Sequence, residues 1–220
     1  MTAVRIFAAL IFSLSLNASG APFAVQLGEA KIGLDAPPGF ADTGFTGSPR
    51  LQELAEALTS ASNRILLFAI SDADLRRFTV GDPLELRRYM IAVTPRGMER
   101  ERMTEGAFKL FIAESVRDFG MPPAGADYPK YLDTRPLGAS SPLAELKKEP
   151  DVVSMLHGTR TKGGFFERSK YLLSTTTLIL LRGKPLNLSV YTQYDDPADL
   201  EWIRLTTARW IEDLKRLNPR

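Results

Sequence analysis

The chain contains no cysteine. That excludes disulfides, thiolate chemistry and a lipid-modified cysteine behind a leader. It has one histidine, His157. His-rich metal sites are therefore excluded, and one imidazole remains as a candidate base. Net charge is also nearly absent: 28 basic residues face 26 acidic ones, giving +2. The signs are interleaved, so neither a nucleic-acid nor a membrane-surface partner is expected. There is no Gly-x-Ser-x-Gly, no phosphate-loop spacing, no internal repeat and no low-complexity tract. The N-terminal apolar run, residues 6–16, rises only about 16 Å against a hydrocarbon core of about 30 Å. It is too short for a membrane span.

What is present is an ordinary globular balance, 44% apolar and 25% charged over 220 residues. One domain is expected, large enough to hide roughly 70% of its unfolded surface. Ahead of it, Arg5 is the only charged side chain before Glu29. The apolar run 6–16 and the small residues Asn17, Ala18, Ser19, Gly20 and Ala21 follow Arg5. This is the layout of a secretory signal peptide, with Ala18 and Gly20 in the small positions before a cut at Ala21. The expected division is a signal peptide over 1–20 and a single domain over 21–220. An uncleaved N-terminal tether is the other reading. Export without disulfides points to the periplasm or to secretion, with membrane contact only through the signal before cleavage.

Residues 23–27 and 30–37 read as two strands around Gly28-Glu29, ended by Pro37-Pro38. Residues 42–48 read as a loop. Ser48-Pro49 opens a helix whose Leu51, Leu54, Ala55 and Leu58 share a face. Residues 64–70 form a short apolar run that suits a central strand. Residues 71–74 read as a polar connection. Residues 84–93 read as a strand with Arg87 and Arg88 on opposite faces. A helix is expected over about 99–119, with Phe108, Phe111, Ile112, Val116 and Phe119 inward and Gly120 behind it. Residues 121–150 carry Pro122, Pro123, Pro129, Pro136 and Pro142 and read as a Pro-rich insertion, with a short helical turn at 143–148.

Residues 151–159 and then the long stretch through Leu181 read as strands. Arg182-Gly183-Lys184-Pro185 is a turn. From Leu186 to Tyr194 the side chains alternate, with Leu186, Leu188, Val190, Thr192 and Tyr194 on one face. Asp196-Pro197 caps and starts a long helix. Its buried stripe is Leu200, Ile203, Thr207, Trp210, Ile211, Leu214 and Leu217. Trp202, Leu205 and Arg209 fall outside that stripe. The class is α+β: a mainly antiparallel sheet with helices packed on it and a long C-terminal helix.

Three groups carry candidate chemistry. His157, Arg160 and Lys162 lie beside glycines and are a candidate ligand or anion site, against the plainer reading of a strand-end histidine and a basic turn. Asp195, Asp196, Asp199 and Glu201 are candidate acids, although a cap and a first-turn carboxylate explain Asp196 and Asp199 without chemistry, and no metal site is expected. Trp202, Leu205 and Arg209 are candidate partner-docking residues, against half-exposure or cover by residues 121–150. No catalytic residue and no cofactor is assigned.

KIGLDAPPGF (residues 31–40) runs a strand into a Pro-x-Gly-aromatic bend, and LNLSVYTQYDDPADLEWIRLTTARWIEDL (residues 186–214) runs a last strand through an acidic cap into an amphipathic helix. With the elements between them, these resemble the Mog1/PsbP-like group of α/β sandwich domains, which includes exported bacterial proteins of the DcrB type. The resemblance implies a non-enzymatic accessory, binding or assembly role and supplies no catalytic residues. The expected function is an exported cell-envelope binding or accessory protein with a possible envelope protein partner. The alternative is a periplasmic hydrolase using His157 or the acids from Asp195 to Glu201.

Overall fold

The computed structural model describes residues 21–117, 120, 122–123, 125, 127–162 and 170–219. The expected signal peptide, Phe119 and residues 163–169 lie outside the described residues.

β1 (Phe23–Leu27) and β2 (Ala30–Leu34) form an antiparallel hairpin around Gly28. A seven-stranded sheet follows in the order β3-β4-β5-β9-β8-β7-β6, antiparallel throughout. Its strands are β3 (Phe40–Asp42), β4 (Asn63–Ser71), β5 (Arg88–Pro95), β6 (Ser140–Glu149), β7 (Val152–Arg160), β8 (Tyr171–Leu181) and β9 (Lys184–Gln193). Two meanders, β3-β4-β5 and β6-β7-β8-β9, meet where β5 pairs with β9. The β8–β9 turn is two residues long, with Arg182 at φ 51° and Gly183 at φ 78°. Two left-handed residues in succession match the twist of the flanking strands.

Strand alternation divides the core. On one face Leu186, Leu188 and Val190 of β9 pack with Ile203, Trp210, Ile211 and Leu214 of α5 (Pro197–Leu217), and the β1–β2 hairpin adds Leu27, Ile32 and Leu34. On the other face Phe68, Ile70, Tyr89, Ile91 and Val93 pack with Leu51 and Ala55 of α1 (Pro49–Ala57) and with Leu75 and Phe78 of α2 (Asp72–Val80). α3 (Glu105–Val116) lies over β8 on this second face, with Phe108 fully buried. α4 (Tyr128–Asp133) packs on β7 through Leu132. Gly158 of β7 has no room for a side chain, because a Cβ there would come within 2.9 Å of Leu132 and Leu143. Among the described residues no helix is long and apolar enough to cross a membrane.

Several expectations are corrected. Residues 72–80 are a helix, not a connection: Ser71 caps it, Asp72 and Asp74 sit in its first turn, and Gly81 at φ 85° ends it. The strand expected from Leu84 starts only at Arg88, because Asp74 Oδ1 draws in the backbone N–H groups of Glu85 and Leu86 and Leu86 sits at φ 46°. α3 starts at Glu105 behind the Thr104 cap, not at Glu99. The buried Lys184 ammonium holds the segment before α3 in a non-helical course by donating to the carbonyls of Glu99 and Glu101. Residues 143–148 are not a helical turn but part of edge strand β6, so the C-terminal third of the Pro-rich segment belongs to the sheet.

Candidate functional site

The sequence-derived site residues fall in three places. His157 stands in β7, opposite Pro142 and Ser174, and is 4% exposed. Burial lowers its pKa, holding the imidazole toward its neutral form. Arg160 is three residues further along the same strand and therefore faces the other side of the sheet, where its Nη1 donates to the Asp133 carbonyl at 3.0 Å. Lys162 lies beyond the strand end and is exposed. β7 thus does not bring His157 and Arg160 together, because odd spacing in a strand separates them.

The acids before and within α5 gather around two arginines. Asp196 accepts from the Ala198 N–H at 2.7 Å, and Asp199 accepts from the N–H groups of Asp195 and Asp196, completing a reciprocal cap. Asp199 is 2% exposed. It takes Arg88 on one oxygen at 2.9 Å and Arg87 on the other at 3.0 Å, and Arg87 also reaches Asp195 at 2.6 Å. Burial by itself pushes Asp199 up, but the Asp195 N–H, Arg88 and Arg87 together hold it below the usual carboxylate range. Arg87 and Arg88 do not diverge as expected for neighbours in a strand, because Arg87 precedes β5 and both reach one carboxylate. This arrangement neutralises the acids and starts the helix. Among the described residues no three His, Asp or Glu side chains are placed to hold a metal ion.

Trp202 is half-buried rather than solvent-facing. Its ring lies 5.9 Å from that of Phe40, and the Arg88 guanidinium sits 4.2 Å over it. Leu205 is 62% exposed, and Arg209 reaches toward Asp213 at 3.8 Å. Of the three, Leu205 and Arg209 form the open surface. Residues 121–150 approach this helix at Tyr128, whose hydroxyl accepts from Arg204 at 3.4 Å.

A broad concavity beside α1 was not legible in the sequence. A cavity of about 690 Å³ lies between α1 and β4, lined by Asp42, Ser48, Gln52, Ala55, Leu66 and Arg96 among others. It exists because β3 is three residues long and β4 nine, so β3 covers only Ala69 to Ser71. Burial raises the Asp42 pKa, against the lowering effect of N–H groups from Phe68, Gly44 and Thr43. No local signal marks this site, since strand length mismatch is a property of the pairing and Arg96 reads in sequence as one charge among several.

No family model matches this chain, and no curated protein matches it. Among solved structures it is similar to the Ran-binding protein Mog1p of Saccharomyces cerevisiae, at 12% identity over 89% of this chain and 93% of that one, with a TM-score of 0.40.

Proposed function

We propose that this chain is an exported cell-envelope binding or accessory protein and that it takes its ligand in the cavity between α1 and β4. The cavity carries the reading. It is large enough for a small-molecule or peptide ligand, and it has an apolar wall at Ile65 and Ala55 with charged or polar groups at its ends. The N-terminal arrangement of Arg5, the apolar run and the small residues supports export. Two of the acids that a hydrolase would draw on, Asp195 and Asp199, are engaged by arginines at the helix start.

The test is ligand-dependent stabilisation. The mature chain is mixed with the small-molecule fraction of a cell-envelope extract and its thermal midpoint recorded. A rise is expected in the native chain and its loss in Gln52→Trp, which places a large ring on the exposed wall of the cavity. No rise with any fraction, or an equal rise in both proteins, rejects the reading. Intact mass of the exported protein, expected to begin at Ala21, checks localisation separately. An envelope partner seated on Leu205 and Arg209 is a second reading, favoured by the exposure of Leu205.

A further inference from the structure

β4 has an open outer edge. Its end near Ser71 is covered by β3, through Phe40 opposite Ser71, Ala41 opposite Ile70 and Asp42 opposite Ala69. One step further, the Phe68 carbonyl accepts from Thr43 N–H at 2.7 Å and the Phe68 N–H donates to Asp42 Oδ1 at 3.1 Å. The chain then turns away through Gly44–Thr46 into α1. From Asn63 to Leu67, β4 pairs with β5 on one side and, among the described residues, with no strand on the other. The cavity runs along this edge, between it and α1. An edge of this kind offers backbone donors and acceptors to any extended chain laid beside it.

From this we infer that the groove binds a free peptide of four or five residues, added to β4 as an antiparallel strand, with its amino end at Asp42 and its carboxylate at Arg96. The inference deepens the binding reading above and rests on it. The length follows from the five uncovered residues of β4, which span about 16 Å at about 3.3 Å per residue. The direction follows from β3, since a strand continuing its line runs from Asp42 toward Asn63. Charge agrees with that direction. Asp42 stands at the end where a peptide ammonium would lie, and Arg96 stands at the other, beside Arg64, whose Nη1 is already paired with Glu99 at 2.8 Å. Arg96 uses its Nε on the Ala61 carbonyl at 3.2 Å and remains exposed. Ile65 and Ala55, on the α1 side of the sheet, form the apolar wall of the groove and receive one apolar side chain. The pairing with β5 slips at Ile65 and Leu67, a bulge that twists the edge and opposes long, flat pairing with another sheet edge. A short peptide fits beside such a bulge better than a second copy of a long strand.

The probe is a pool of randomised pentapeptides with free termini, added to the isotope-labelled mature chain. The amide resonances of Ile65 and Leu66 are expected to shift and their hydrogen exchange to slow. The same pool with amidated C-termini is expected to bind about tenfold more weakly, because it lacks the charge that pairs with arginine. Arg96→Gln, a change at an exposed side chain, is expected to fold normally and to shrink that difference between the two pools. Equal binding of the free and amidated pools overturns the direction. If the pool leaves the Ile65 and Leu66 amides unmoved, the peptide inference fails. Envelope-extract stabilisation that is still lost in Gln52→Trp would then leave the broader binding reading standing.

Discussion

The side chain of Asn218 holds both backbone polar groups of Gly33, accepting the Gly33 N–H on Oδ1 at 2.8 Å and donating from Nδ2 to the Gly33 carbonyl at 2.8 Å. The same Nδ2 donates to the Leu214 carbonyl at 2.9 Å, so one buried amide both ends α5 and fastens the hairpin to it. Replacing it with Ala leaves the part-buried N–H and carbonyl of Gly33 without this partner, while the Leu214 carbonyl keeps the Asn218 backbone N–H. Asn218→Ala should cost about 2–3 kcal/mol. Asn218→Asp, which keeps the acceptor and loses both donated bonds, should also destabilise. Urea midpoints at neutral pH check both, and faster amide exchange in residues 30–34 should accompany the loss.

The two tryptophans of α5 should behave differently from its exposed leucine. Trp210 is 1% exposed and its Nε1 donates to the Asp35 carbonyl at 2.8 Å. Trp210→Ala should cost about 3–5 kcal/mol through lost burial and a residual cavity. Trp202 is half-buried between Phe40 and Arg88, so Trp202→Ser should cost about 2–3 kcal/mol, well above a surface change. Leu205→Ser should stay within about 0.5 kcal/mol of the native chain. Chemical denaturation of the three variants gives the order. A Trp202→Ser protein as stable as the native one would return that ring to the open surface.

Legibility in the sequence followed the range of the interactions that decide each element. β9 and α5 were readable because alternation, the Asp196 cap and Pro197 act within a few residues. The β8–β9 turn was readable for the same reason. α2 carried a cap at Ser71 and a stop at Gly81, but its nine residues are short and mostly polar, so its signals resembled those of a loop. β6 was hidden because Ala144, Glu145, Leu146, Lys147 and Lys148 favour a helix by themselves. Pairing with β7 overrides that preference, and an edge position tolerates both Pro142 and the charges. The groove was the least readable feature. It is created by the difference in length between β3 and β4, and no residue within it announces that difference.

His157 makes stability depend on pH in a known direction. Its pKa is lowered from 6.5 by burial, so between that value and the lower folded value the unfolded chain takes up a proton that the native chain refuses. Stability from this group is complete above about pH 6.5 and falls as pH drops through that point. As the single histidine, its imidazole resonances are unambiguous. An NMR titration should place its midpoint below 6.5. Denaturation of His157→Gln should show a shallower loss of stability between pH 7 and 5 than the native chain.

Asp199 ties the start of α5 to the sheet, and its loss should exceed that of a surface ion pair. Its carboxylate is buried, whereas the Arg87 and Arg88 side chains that meet it are about a third or more exposed. Solvent therefore screens part of each interaction. Three effects still add in Asp199→Asn. The amide keeps the size of the acid but loses the charge opposite two arginines. It weakens the acceptance of the Asp195 and Asp196 N–H groups that completes the cap. It also frees Arg88, which stacks over Trp202 and whose buried Nε has no hydrogen-bond partner among the described residues. We expect a loss of about 2–3 kcal/mol at pH 7, between the values for exposed and fully buried pairs. The pH dependence separates the charge from the packing. The folded pKa of Asp199 lies below 3.8, so its contribution is present above about pH 3.8 and disappears as pH falls through the folded value. The difference in unfolding free energy between the native chain and Asp199→Asn should therefore be constant from pH 7 to 5 and shrink below pH 4. A difference that persists undiminished at pH 2.5 would assign the effect to the cap and to packing rather than to the two arginines.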